Sequence, residues 1–234
     1  MNPTSKVTKA MIQVIAFDVN ETLLDLGALD APFQELLGSS SLRAQWFAQM
    51  LQLSFVGGLT GNYVDFSTAQ RAALHMVAER QGKPVSDEEA QRMVDRMSTL
   101  PPHPEVDGAL TMLRQTPLEI VALTNSVEKV AEAQLQNAGI RDHFHRVMSA
   151  DSVGALKPAP APYLAVAQAF EVDIDEVRLV AAHSWDISGA LAAGARAAFV
   201  ARPGMVLSPI GPRPDIVAPD LAAAVQEIVR RDAP

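Results

Sequence analysis

The chain has 234 residues, with 27 acidic and 19 basic side chains and a formal net charge of −8. Its 48% apolar and 20% charged content is ordinary globular usage and excludes a disordered chain. It has no cysteine, which excludes disulfides, thiolate metal sites and cysteine nucleophiles, and its acidic balance without blocks of like charge excludes a general nucleic-acid binder.

Residues 1–10 are polar, carry Lys6 and Lys9, and are expected to be a disordered leading segment. Met11 to Phe17 is apolar, but far shorter than the ~20 residues a transmembrane helix needs. It ends at Asp18 with no small-residue cleavage site, so the expectation is a soluble cytoplasmic protein without a membrane partner. The same run is rich in β-branched and aromatic residues and predicts a buried strand ending in a carboxylate. From Leu29 to Met97 no strand is legible. Leu42 to Leu59 and Phe66 to Gln81 have helical apolar spacing. Ser86 with Glu89 three residues on has the form of a capping box. Leu100-Pro101-Pro102-His103-Pro104 then breaks the chain.

Beyond this break the strand patterns resume, at Leu118 to Leu123, Arg146 to Ser149, Arg178 to Ala182 and Ala197 to Ala201. Helical patterns lie between them: Val127 to Ala138 before a capping Gly139, Pro160 to Phe170, and Ser188 to Ala193 stopped by Gly194. Strands alternating with helices predict an α/β fold, a Rossmann-like doubly wound parallel sheet. The helical stretch predicts an all-helical cap domain, residues 28–102, inserted after the first strand. The core is then 11–27 with 103–234, a comfortable domain size.

In such sheets a ligand binds beyond the carboxyl ends of the strands. Four strand-end loops place chemistry there: Asp18; Thr124 with Asn125; Lys157; and Asp186. Singly, each has an ordinary explanation as a turn residue, a helix cap or a solvated charge. Together they supply a nucleophile candidate, a hydroxyl and amide pair, a cation and a second carboxylate on one edge.

The pattern Asp18-x-x-x-Thr22, Leu123-Thr124-Asn125, Lys157-Pro158 and the Asp186 loop resembles the haloacid dehalogenase superfamily. Within it the chain resembles the type II 2-haloacid dehalogenases. Ala16-Phe17-Asp18-Val19, Tyr63-Val64-Asp65-Phe66, Tyr163 and Trp185-Asp186-Ile187-Ser188-Gly189-Ala190 extend the likeness across most of the chain. The resemblance implies a hydrolase that cleaves a carbon–halogen bond of a small 2-haloacid through an aspartyl ester at Asp18, later hydrolysed by water. It implies that Lys157 balances Asp18, that Asp186 holds Lys157, and that Thr22, Thr124 and Asn125 donate to carboxylate oxygens. Tyr163 matches a position near the site, and Trp185 a part of an apolar wall. A small-molecule substrate, a homodimer and no cofactor are implied with it.

Asn20 discriminates between chemistries. Superfamily phosphatases place a second Asp there to protonate a leaving alkoxide. Asparagine has no acidic proton to give, and a halide needs none. The last motif offers one acid, Asp186, so no metal is expected. Three departures stand against simple transfer. Phe47 follows Trp46 where the family carries an arginine. Arg43, one turn earlier, is either a replacement cation or a solvated surface side chain. Ala181 and His183 stand where a serine and an asparagine position water, and Asn20 where a tyrosine is common. His183 has three readings: activating water, donating to an anion, or bonding within its loop. Three alternatives to haloacid hydrolysis remain open: the same ester chemistry on a substrate without a carboxylate, a phosphatase, and a non-catalytic relative.

Overall fold

The structure, a computed structural model, describes residues 11–233. The expectation for residues 1–10 lies outside the described residues. Six strands form one sheet: β1 (Val14–Phe17), β2 (Glu119–Thr124), β3 (Arg146–Ser149), β4 (Val177–Ala181), β5 (Arg196–Val200) and β6 (Ile216–Ala218). Their order is β3-β2-β1-β4-β5-β6 and every pairing is parallel. The predicted α/β class and doubly wound sheet are therefore observed. The three-residue β6 was not predicted, because it is too short to show a period and follows a run rich in Pro and Gly.

The strands are apolar on both faces because both faces are covered. Ile15 and Phe17 enter one apolar cluster, while Val14 and Ala16 enter the other, the alternation a pleated strand imposes. Helices α7 (Pro160–Phe170) and α8 (Ser184–Ala192) pack Tyr163, Val166, Ile187 and Ala190 into the Val14 face. Helices α5 (Val106–Leu113), α6 (Glu128–Asn137) and α9 (Leu221–Asp232) pack Leu110, Leu135 and Val225 into the Ile15 face.

Between β1 and β2 the chain is helical: α1 (Asp30–Leu37), α2 (Leu42–Thr60), α3 (Phe66–Arg80) and α4 (Asp87–Asp95). The capping box at the start of α4 is present, with Glu89 N–H donating to Ser86 Oγ at 3.2 Å and Ser86 N–H to Glu89 Oε2 at 2.8 Å. Fully buried Trp46 donates through Nε1 to the Gln70 carbonyl at 2.9 Å and so ties α2 to α3. Helices α1, α5 and α9 were not predicted, and α8 begins four residues before its predicted start. The cause in α8 is local: extended His183 sits at the N-cap, so Ser184, Trp185 and Asp186 already form its first turn.

The register positions the site. Phe17 aligns with Ala122 of β2 and Val180 of β4, so Asp18 emerges beside the ends of both neighbours. The chain proceeds from β1 to β2 on one side and to β4 on the other, which opens a crevice at the carboxyl end of β1. Among the described residues no helix is long and apolar enough to cross a membrane.

Gly189 of α8 makes this arrangement possible. A Cβ there would fall 2.6 Å from both Pro158 Cβ and Tyr163 Oη, beneath the segment that carries Lys157. Gly189→Ala is expected to destabilise the protein by about 1–3 kcal/mol through overpacking. Urea denaturation at neutral pH measures this loss, and an unchanged midpoint contradicts the packing account.

Candidate active site

Asp18 follows β1 directly and is 5% exposed. Each of its carboxylate oxygens is engaged. Oδ1 accepts from Lys157 Nζ at 3.0 Å. Oδ2 accepts from Thr22 Oγ1 at 2.6 Å and pairs with His183 Nδ1 at 3.1 Å. The Thr22 hydroxyl is itself aimed by the Ala182 N–H, which donates to it at 2.9 Å. Burial alone would raise the Asp18 pKa. The Lys157 charge, the bond and charge of His183 and the Thr22 hydroxyl outweigh it and hold the carboxyl well below the usual range.

Lys157 is fully buried and all three of its ammonium protons are used. Besides Asp18, Nζ donates to Asp186 Oδ2 at 2.6 Å and to the Leu123 carbonyl at 2.8 Å. Burial works against its charge, but the Asp18 and Asp186 carboxylates raise its pKa above the ordinary lysine value. Asp186 is pushed up instead: burial and the like charge of Asp18 exceed what a shared ammonium returns. The Tyr163 hydroxyl donates to Asp186 Oδ1 and closes the chain of contacts.

His183 bridges two carboxylates, with Nε2 2.8 Å from Glu21 Oε2 in addition to Nδ1 on Asp18. Its ring lies stacked between Phe47, at 5.5 Å and 17°, and Trp185, at 5.2 Å and 23°. Burial would lower its pKa. Its bonds to Asp18 and Glu21, and their charges, raise it to about 9. At neutral pH this ring is an imidazolium that donates from both nitrogens and is covered by two aromatic faces. With Asp18 free, it has no lone pair with which to activate water.

The structure brings Asp18, Thr22, Lys157, Tyr163, His183, Trp185 and Asp186 together. It corrects three other expectations. Thr124 and Asn125 do not donate to a carboxylate in the observed bonding. Thr124 Oγ1 accepts the Ser126 N–H at 3.1 Å. The Asn125 amide spans the Lys157 backbone, Nδ2 to its carbonyl at 3.1 Å and Oδ1 from its N–H at 2.8 Å. These residues shape the loops that hold Lys157 in place. Asn20 turns its amide toward Ser126 Oγ at 3.3 Å and Gln134 Nε2 at 2.9 Å, so it braces the loop after β1. Arg43 is neither solvated nor free, because Asp30 Oδ1 at 2.6 Å and Glu21 Oε1 at 3.5 Å claim it.

Sequence reasoning missed two contributors. Glu21 stands in the Asp18-x-x-x-Thr22 turn with φ 62° and links His183 to Arg43. Its only sequence signal is a carboxylate inside that motif. Arg202 is 7% exposed and donates from Nε and Nη2 to the Thr22 carbonyl at 2.9 and 2.7 Å. Its partner lies 180 residues away, and no local pattern reports such a pair.

Two cavities lie beside the partners of Asp18. One of about 610 Å³ lies between the C-terminal half of α2 and residues 154–159, and Lys157 lines it. The other, about 360 Å³, is lined by Glu21, Phe47, Leu51, His183, Trp185 and Met205. Asp18 bonds to both Lys157 and His183 and so lies between them.

Residues 12–194 match the hydrolase family described as haloacid dehalogenase-like hydrolase. The chain belongs to the haloacid dehalogenase-like hydrolase family. It is 30% identical to haloacetate dehalogenase H-2 of Moraxella sp. (strain B), over 93% of this chain and 98% of that one. It is 28% identical to an (S)-2-haloacid dehalogenase of Pseudomonas sp. (strain YL), over 92% and 94% of the two chains. A solved L-2-haloacid dehalogenase from Xanthobacter autotrophicus, with chloropropionic acid covalently bound, superposes with a TM-score of 0.87. It is 27% identical, and the match covers 94% of this chain and 99% of that one.

In this member of the haloacid dehalogenase-like hydrolases the His183 pKa has a consequence for stability. The folded chain holds the His183 proton up to about pH 9, whereas the unfolded chain releases it near 6.5. Its contribution is complete below about 6.5 and is lost as pH rises through about 9. The expected loss is on the order of 3 kcal/mol. Chemical denaturation across this window is expected to show the decline in the natural protein and a flat profile in His183→Gln. Parallel declines contradict the account.

Proposed function

We propose that the protein is a hydrolase that displaces halide from a small 2-haloacid through an ester at Asp18, with water completing the turnover. The observation that carries this reading is the nucleophile's setting. Asp18 is ionised, desolvated and fixed by Lys157, Thr22 and His183, which is what a carboxylate needs to act as a nucleophile. In this reading Lys157 balances the carboxylate, Asp186 and Tyr163 hold Lys157, and Thr124 and Asn125 set its loop. Phe47 and Trp185 wall the site beside His183, and Asn20 and Arg43 brace it from outside. Residues 28–102 act as a cap over a core of 11–27 and 103–234. A cytoplasmic homodimer that needs no cofactor or metal belongs to the same reading and rests on family resemblance.

Asn20 also weighs against a phosphatase. The position that would hold the general acid is an amide committed to Ser126 and Gln134.

One observation favours a second reading, in which the substrate lacks a carboxylate. The cations around Asp18 already face protein acceptors: Lys157 has three, His183 two carboxylates and Arg43 two carboxylates. An anionic substrate would have to compete for those donors.

Halide release from 2-chloropropionate, chloroacetate, fluoroacetate and neutral 2-chloropropionamide separates the readings. The expected result is release with at least one acid and none from Asp18→Asn. Release from the amide alone selects the second reading. Silence across the panel overturns both. In heavy-oxygen water a single turnover is expected to place label in Asp18, because water attacks the ester at the protein carbon.

A further inference from the structure

The two oxygens of Asp18 are not equivalent. Oδ1 has one donor, Lys157 Nζ, whereas Oδ2 has two, Thr22 Oγ1 at 2.6 Å and His183 Nδ1 at 3.1 Å. Both Oδ2 donors are fixed from behind. The Ala182 N–H holds Thr22, and Glu21 with the flanking rings of Phe47 and Trp185 holds His183. We propose that Thr22 Oγ1 and His183 Nδ1 form an oxyanion hole on Asp18 Oδ2, which leaves Oδ1 as the attacking atom and gives His183 a role in ester hydrolysis. This rests on the aspartyl-ester reading above and names what stabilises its second half.

The donors stand where such donors must stand. An oxyanion hole needs preorganised N–H or O–H groups roughly 2.7–3.1 Å from the oxygen that gains charge. In the first step an Oδ1 electron pair forms the bond to carbon, and halide leaves with the electrons of the broken carbon–halogen bond. Oδ2 becomes the ester carbonyl oxygen, still facing Thr22 and His183. In the second step a water oxygen bonds to Cγ, and the π pair moves onto Oδ2, where the two donors receive it. Asp186 takes a proton from that water. The returning pair then breaks the Cγ–Oδ1 bond, and Lys157 protonates the departing alkoxide on Oδ1. Asp186, 2.6 Å from Lys157, returns its proton to the amine, and the new Asp18 carboxyl loses its proton to solvent. Atoms, charge and the oxygen label all balance.

The competing role for His183 is general base, and pH separates the two. Asp18 and Glu21 face the ring directly, Lys157 and Thr22 stand behind Asp18, and Arg43 stands behind Glu21. The aromatic rings that cover its faces do not titrate. A donor loses its function when it loses its proton, so hydrolysis is expected to slow as pH rises through the His183 pKa. A base gains function over the same range.

The test is rapid-quench turnover of 2-chloropropionate, or of 2-chloropropionamide if only that is a substrate. In His183→Gln the expected result is a halide burst of one equivalent, slowed far less than the steady release. Steady release then follows, about 10²-fold slower. Intact-mass analysis is expected to show the alkyl ester accumulating on Asp18. His183→Asn is run alongside, so that a fold defect in one variant leaves the question decided by the other. A burst and steady rate reduced equally, or a steady rate unchanged, overturns the proposal while the aspartyl-ester reading stands. A natural hydrolysis rate that climbs with pH overturns it in favour of a base. Silence of the natural protein overturns both together.

Discussion

The structure depends on one buried ammonium. Lys157 has no exposure, and it bonds to two buried carboxylates, Asp18 and Asp186. Removing an ion from water costs several kcal/mol, and that cost is offset only when every donor is matched. Lys157 meets this condition with two carboxylates and the Leu123 carbonyl. Its position needs the ends of β1 and β2, the loop after β3 and the first turn of α8 to arrive together. The parallel register and the glycine beneath Pro158 make that convergence possible.

The second cation, His183, extends the same logic toward the helical insertion. Its stacked ring joins Phe47 of α2 to Trp185 of α8, and its nitrogens join Asp18 to Glu21. Where a resemblance leads one to expect an arginine from the insertion, the chain supplies a phenylalanine from the insertion and a charge from the core. The charge is thereby fixed on a strand-end loop, and the helix contributes an apolar cover. In an acidic protein this keeps the positive potential local to Asp18.

The sequence made much of the fold legible. Buried parallel strands read as continuous apolar runs, so β1, β2, β3, β4 and β5 were visible, and long amphipathic segments exposed α2 and α3. β6, α1, α5 and α9 were not, because short or capless elements take their definition from packing. For the site, residue types at strand ends located Asp18, Lys157 and Asp186. The donor role that the resemblance implies for Thr124 and Asn125 is not the one the structure gives them. A hydroxyl or amide near a carboxylate has several partners within reach, and only the loop path chooses among them. Here the path gave them to Ser126 and to the Lys157 backbone.

By itself, then, the sequence determined the sheet, the helical insertion and which loops carry charge, because these follow from local hydrophobic period and from residue chemistry at strand ends. Tertiary structure alone decided how those charges pair. Glu21 with His183, Arg202 with the Thr22 carbonyl, and Asn20 with Gln134 join residues more than a hundred positions apart. Hydrogen bonds act over about 3 Å and carry no signal along the chain, so their partners are set only when the fold closes. The net charge of −8 shows the same division. The sequence states the excess of acid, and the fold places two protonated side chains, Lys157 and His183, against Asp18.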